Sequence, residues 1–279
     1  MALKSEERRT QRFTFVFLVI AAVVWLAPMV WVLSTSLKPE SQAISWPLRW
    51  IPETLTFENY FIILGSASTP VIRWFGNSLL IASLHTFFIL IVDSMAAYAY
   101  ARMRFKGRDV LFWILMTTMM IPPVITYIPL YSIVDKLGWV DTPWAMIIPG
   151  LGGVFGIFLL RQFFLGIPYE LEEAARIDGA GAFQIFFRII LPLAKPALVT
   201  VALFTFMSNW NDFFWPLIVT NSVEMRTLPV GLSILQGSFN IQYAKLMAAT
   251  VLSALPVLVL FLFAQRFFVK GATMTGIKG

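Results

Sequence analysis

Ile167-Pro168-Tyr169-Glu170-Leu171-Glu172-Glu173-Ala174-Ala175-Arg176-Ile177-Asp178-Gly179-Ala180, running on through Ile189-Ile190-Leu191-Pro192 to Pro196, interrupts two long apolar runs with a charged, patterned unit. A turn between membrane spans needs only a few residues, whereas this unit has about thirty. It parses as two short helices. Pro168 suits a first helical position, and Glu170, Glu172 and Glu173 lie near a positive helix start. Arg176 follows Glu172 by four residues, a favourable pairing, and Gly179 stands where a left-handed C-terminal cap is wanted. In the second helix Phe183, Phe186, Phe187 and Ile190 share one face by their spacing, and Pro192 ends it. A lone amphipathic helix of this kind lies on lipid. Three acids in its first turn suit an anionic leaflet poorly and favour a protein partner.

Outward from this unit the chain is apolar. Of 279 residues 58% are hydrophobic and 13% charged, with mean hydropathy +0.78. Soluble domains carry about twice that charged fraction. Six runs approach or exceed the roughly 20 residues of a membrane-spanning helix: Phe13–Leu33, Trp74–Ala101, Val110–Tyr131, Trp144–Phe164, Ala197–Val219 and Leu246–Val269. The expected fold is all-α, a polytopic membrane protein with six transmembrane helices. The first run follows Lys4, Arg8, Arg9 and Arg12. It is about 21 residues long with no small-x-small site after it, so it reads as a retained helix and not a cleaved signal.

Orientation follows from the basic residues. With six spans and an inner amino terminus, fifteen of the 21 Lys and Arg fall inside, among them Arg102, Arg104, Lys106, Arg108, Arg176 and Arg188. The other six are Lys38, Arg49, Arg73, Lys136, Arg226 and Lys245. This bias predicts cytoplasmic termini and a cytoplasmic 167–196 unit, and it accounts for the net charge without nucleic acid. The divisions expected are a cytoplasmic segment 1–12, a membrane domain 13–269 that includes 167–196, and a cytoplasmic tail 270–279. The turn Arg102–Arg108 reads as a topology anchor in preference to a lipid-recognition site. Gly152 and Gly156 have small-xxx-small spacing and predict close helix packing or a kink. Pro122, Pro123 and Pro129 predict a bend in the third span. Outside the membrane, Ser34–Arg73 combines four prolines with Trp46, Trp50, Phe57 and Tyr60.

Polar groups within the spans are few. Asn209, Trp210, Asn211, Asp212 and Trp215 cluster in the fifth, where amides, a carboxylate and aromatic faces suit a sugar, or where tryptophan simply seats the helix at the interface. His85 and Asp93 lie in the second, about 80° apart around a helix, and read as interhelical hydrogen-bonding groups in preference to a proton relay. The single histidine and the lack of cysteine leave no metal cluster, and no nucleophile has a plausible base, so the chain reads as non-catalytic.

Glu173-Ala174-Ala175, then Gly179, then Ile189-x-Leu191-Pro192, resembles the EAA motif of permease subunits from bacterial ATP-binding cassette importers. Arg176-Ile177-Asp178-Gly179-Ala180 resembles the carbohydrate branch, in particular the maltose-transporter permeases. Ala97–Arg102 with Phe105–Arg108, Trp210–Leu217, Arg266-x-Phe268-Val269-x-Gly271 and Gly276–Gly279 are similar to that branch as well. The likeness implies the type I importer permease fold in a bacterial or archaeal cytoplasmic membrane. The implied partners are a second homologous permease, two ATPases that bind ATP and magnesium, and an extracytoplasmic sugar-binding protein. It implies that Glu173, Ala174, Ala175, Arg176, Asp178, Gly179 and Ala180 contact an ATPase, and that Gly271, Gly276 and Lys278 reach between the ATPases. It also implies that Gly237, Ser238, Phe239 and Asn240 meet the binding protein. Gly271-x4-Gly276 lacks the Lys-Ser/Thr ending of a phosphate loop, so the chain is not expected to bind ATP. The position of Asp93 departs from the branch, which carries small or hydroxyl residues there. Alternatives are a glycerol-phosphodiester or polyol cargo, a stand-alone secondary transporter, or a scaffold without transport.

Overall fold

The computed structural model describes residues 2–66, 69–236 and 242–275, with side chains for 11–66, 69–234 and 242–265. All regular structure among the described residues is helical. Among the described residues three helices are long and apolar enough to span a bilayer: α1 (Ala2–Ser36), α3 (Val71–Arg102) and α12 (Tyr243–Thr275). Between α1 and α3 lies the short α2 (Glu58–Gly65).

The other apolar runs are broken. α4 (Arg108–Thr117) and α5 (Pro123–Lys136) meet at 102°, because Pro122 and Pro123 cannot continue the helix. The bend predicted for the third span is therefore close to a right angle. The fourth run, expected as one helix over Trp144–Phe164, is a single helical turn at Trp144–Ile147, an irregular stretch, and α6 (Val154–Leu165). Gly150 and Gly152 both stand at φ +91°, which a helix cannot contain. After α7 (Glu170–Ile177) comes α8 (Ala182–Leu193), which turns by 78° into α9 (Lys195–Trp210). The fifth run, expected as continuous over Ala197–Val219, stops at Trp210 and restarts as α10 (Phe214–Val219), followed by α11 (Leu228–Gln236). Counting each bent pair once gives up to six spans.

Two compact units result, residues 1–71 with 232–255 and residues 72–231 with 256–279. In the first, the segment after α1 folds back on it. Lys38 is almost fully buried, its ammonium donating to the Arg49 carbonyl at 2.6 Å and lying 4.2 Å from the Trp31 ring centre. Asn59 donates to the carbonyls of Ser36 and Lys38, and Glu40 accepts from the Ala244 amide at 3.0 Å. The side chains of α1 stay exposed along its apolar length, Trp25 to 80%.

Two apolar cores of the second unit are found among the described residues. One joins Ile89, Ala97 and Tyr98 of α3 to Leu160 and Phe164 of α6 and Ile185, Phe186 and Ile190 of α8. The other gathers Ile81, Val134, Ala145, Met146, Ile147, Trp215 and Val219. At one edge Asp141, at φ +61°, accepts from the amides of Asn221 and Ser222 and from the Ser222 hydroxyl. Burial works against that charge, but the three donors hold its carboxyl below the usual value.

Candidate functional site

The charged unit folds as a short amphipathic helix with a defined stop. α7 begins one residue after Tyr169, whose carbonyl accepts from the amides of Glu172 and Glu173, so Pro168 lies ahead of the helix and not at its first position. Gly179 takes φ +85°. The Gly179 amide then donates to the Arg176 carbonyl at 3.0 Å and the Ala180 amide to that of Ala175 at 2.9 Å, the paired bonds of a left-handed helix stop. Nothing lies within 4 Å of where a Gly179 Cβ would project, so its requirement is conformational and not steric.

α8 differs from the expected helix in two ways. Residues Phe186–Ile190 form a wider turn, and the helix runs through Pro192 to Leu193, so Pro192 does not end it. The extra residue in the turn shifts the faces. Ile185, Phe186 and Ile190 are buried, whereas Phe183 and Phe187 are exposed. The single face of four predicted from regular spacing is thereby divided between core and surface.

What holds α7 in place is a pair that local pattern did not reveal. Glu172 is wholly buried, and its carboxylate lies 3.1 Å from Nε of Arg102, itself 6% exposed. The Arg102 guanidinium also donates to the carbonyls of Phe164 and Ile167, the last turn of α6 and the link beyond it. One side chain at the end of α3 thus caps α6 and pairs with α7. Arg176 reaches Glu172 at 3.8 Å from the exposed side, and both guanidiniums lie 5.9 Å from the Tyr169 ring centre. Burial pushes the Glu172 carboxyl above its usual value, while Arg102 and Arg176 pull it back.

Among the described residues the remaining faces of α7 are open. Glu173, Ala174, Arg176, Asp178 and Gly179 are exposed, Ala175 and Ala180 half-buried against the core, and Ile177 is 86% exposed. Exposed Phe183 and Phe187 follow on α8. The result is a knob anchored on one side and presenting charged and apolar groups on the other.

Residues 93–273 match the family described as binding-protein-dependent transport system inner membrane component. The chain belongs to that family. It is similar to the arabinooligosaccharides transport system permease protein AraQ of Bacillus subtilis, at 36% identity over 94% of both chains. It is likewise similar to the trehalose/maltose transport system permease protein MalG of Thermococcus litoralis, at 33% identity over 94% of both. A solved bacterial ABC transporter involved in the import of the acidic polysaccharide alginate matches with TM-score 0.84 and 27% identity, over 94% of this chain and 98% of that one. The all-α permease fold of an ABC importer is thereby established.

In this permease the polar cluster of the fifth run is where the helix breaks. Asn209 and Asn211 donate to the carbonyls four residues back, Thr205 and Met207. Asp212, half-buried, lies in the short gap between α9 and α10. Trp210 is 1% exposed, stacked on Phe206 and edge-on to Phe75, and the indole of Trp215 donates to the Ala145 carbonyl at 2.8 Å. The accessible members are Asn209, Asn211 and Asp212, with both tryptophans packed behind them. Gly237, Ser238, Phe239 and Asn240, and also Gly276 and Lys278, lie outside the described residues. Gly271 falls within the backbone of α12. No cluster of metal-binding side chains occurs among the described residues.

Proposed function

We propose that this chain is a membrane-spanning permease subunit of an importer that carries an oligosaccharide or other carbohydrate, powered by ATP hydrolysis on partner subunits. The observation that carries the reading is α7: an acid-rich helix with outward Glu173, Arg176 and Asp178, stopped by Gly179 and fixed to the membrane domain through Arg102 and Glu172. Such a knob fits a cleft in an ATPase. Closure of two ATPases around ATP and magnesium would displace α7, and the buried pair would pass that displacement to α3 and α6, a coupling between two sites through one element. On this reading hydrolysis belongs to the partner subunits.

The cargo would pass along Asn209, Asn211 and Asp212, whose amides and carboxylate suit sugar hydroxyls. Trp210 and Trp215 would shape that wall from behind. The exposed length of α1 suits lipid and a second, homologous permease subunit. Gly237–Asn240 would meet an extracytoplasmic sugar-binding protein, and Gly271, Gly276 and Lys278 would approach the ATPases. Both termini and α7 then face the cytoplasm.

The test is reconstitution with the subunits encoded beside it, measuring ATP hydrolysis stimulated by the loaded binding protein across a panel of sugars. Stimulation by one class of sugar supports the reading. Stimulation by glycerol phosphodiesters and by no sugar reassigns the cargo, and gradient-driven transport by the chain alone, indifferent to ATP, overturns the mechanism.

A further inference from the structure

We propose that Asp93 is a positioning residue for this coupling. Together with His85 and Arg102 it fixes the broken fourth segment to α3, so that displacement received at α7 travels to the far end of the unit instead of being absorbed at the break. The proposal rests on the reading of α7 as the ATPase contact.

The break between Ile147 and Val154 is the weak point of the segment. Gly150 and Gly152 both occupy positive φ, and the helical hydrogen bonds lapse across it. Unpaired backbone groups at membrane depth are costly unless other groups satisfy them. Two side chains of α3 stand at the two edges of this gap, one satisfying a backbone group and the other filling space. His85 Nδ1 donates to the Ile147 carbonyl at 2.8 Å, on the side of the first helical turn. Asp93, with no exposed surface, lies against the start of α6 at Gly153 and Gly156.

The fit at Asp93 is close. A Cβ on Gly156 would stand 2.1 Å from Asp93 Oδ2, and one on Gly153 3.1 Å from it. The spacing that reads as helix packing is therefore a cradle for a carboxyl group. Neither Asp93 oxygen meets a donor at full hydrogen-bond geometry among the described residues, so the group is held by its shape against the two glycines.

Arg102 completes the set at the other end of α6 by holding Phe164, Ile167 and Glu172. From His85 to Arg102 is about 26 Å of helix at 1.5 Å per residue. Along that length α3 grips the start, the middle and the end of the fourth segment. Its far end is in turn gripped by Trp215, through Ala145. Glycines at positive φ are a natural hinge. With Asp93 seated on Gly153 and Gly156, the hinge is closed and the segment moves with α3.

The experiment uses the assembled transporter in lipid nanodiscs and proteoliposomes, comparing sugar transported with ATP hydrolysed. Asp93→Ala is expected to leave assembly and basal hydrolysis within about twofold and to lower sugar transported per ATP by about tenfold, inside the range usual for coupling between sites. Asp93→Asn, which keeps the shape, retains most of the ratio. Gly156→Ala drives a methyl into the carboxyl and lowers the ratio. Asp93→Ser in that background makes room and restores it. A fall in transport and hydrolysis together, with the ratio unchanged in Asp93→Ala, overturns the proposal. So does a Gly156→Ala/Asp93→Ser pair no better than Gly156→Ala alone, which decides the matter if Asp93→Ala does not accumulate. Glu173→Lys separates this from the underlying reading: if it leaves ATPase binding and stimulation intact, the assignment of α7 fails, whatever the Asp93 variants do.

Discussion

Replacing Arg102 by methionine should loosen the knob at α7 more than any change on its exposed face. The substitution removes the ion pair to a wholly buried Glu172 and the donors to the carbonyls of Phe164 and Ile167. Breaking a buried pair by deleting one partner costs about 3–5 kcal/mol, since the other charge is left without compensation. Arg176, 3.8 Å from the same carboxylate and half exposed, offsets part of this. A net cost of about 3 kcal/mol corresponds to roughly 10²-fold more frequent local opening.

Amide hydrogen exchange in nanodiscs reads that opening directly, at Asp178, Gly179 and Ala180, whose amides bond to Ala174, Arg176 and Ala175. Glu172→Gln, which leaves the Arg102 bonds to the two carbonyls, should speed exchange less. The carboxyl of Glu172 already lies above its usual value through burial. Losing Arg102 removes its largest downward pull and raises it further. A native state that holds the proton more tightly than the unfolded chain is most stable below the ordinary carboxyl pKa and loses stability as pH rises through the raised value. The difference between Arg102→Met and the parent should therefore widen with rising pH and shrink in acid. Exchange within threefold of the parent, or a difference that grows in acid, would show that the Arg102–Glu172 pair does not hold α7.

Gly179→Val places a β-branched residue at φ +85° and should cost about 1–3 kcal/mol locally. Gly179→Pro also removes the donor to Arg176, so it should abolish stimulated ATP hydrolysis while leaving membrane insertion intact, as checked on reconstituted vesicles. Trp210→Ala empties a buried site beside Phe206 and Phe75. It should lower the thermal midpoint in detergent with a loss of about 3–5 kcal/mol, whereas Asn211→Ala should leave the midpoint unchanged and alter which sugars are transported. The reverse pattern would place the sugar on the tryptophan. Asp141, held below the usual carboxyl value, stabilises its loop above 3.8, a contribution lost as pH falls through its lowered value. Amide exchange at Asn221 and Ser222 should accelerate in that acid range, and Asp141→Asn should remove the pH dependence.

Much of the architecture is written in local signals. Runs of about 20 apolar residues specify membrane helices because backbone hydrogen bonds must close within each segment. Gly179 marks the end of α7 because a single residue decides whether the chain can enter positive φ there. The family motif is local in the same sense, so the charged unit was legible as two helices with exposed Glu173, Arg176 and Asp178.

The breaks within the apolar runs were less legible. Hydropathy is indifferent to whether a run is straight, and Gly150 and Gly152 act through backbone geometry. Arg102 and Glu172 were each readable as ordinary surface charges, one a topology anchor and the other half of an exposed i, i+4 pair. Only the approach of chain segments 70 residues apart buries them together and makes the pair structural. Asp93 shows the same limit. Its burial, its seat on Gly153 and Gly156, and its place at the start of α6 depend on which helix lies opposite. Sequence by itself determined which segments are helical and apolar and where α7 stops, because those terms are short-ranged. The tertiary structure decided which polar groups pay for burial and which stay open to a partner, because desolvation depends on the neighbour that arrives from far along the chain.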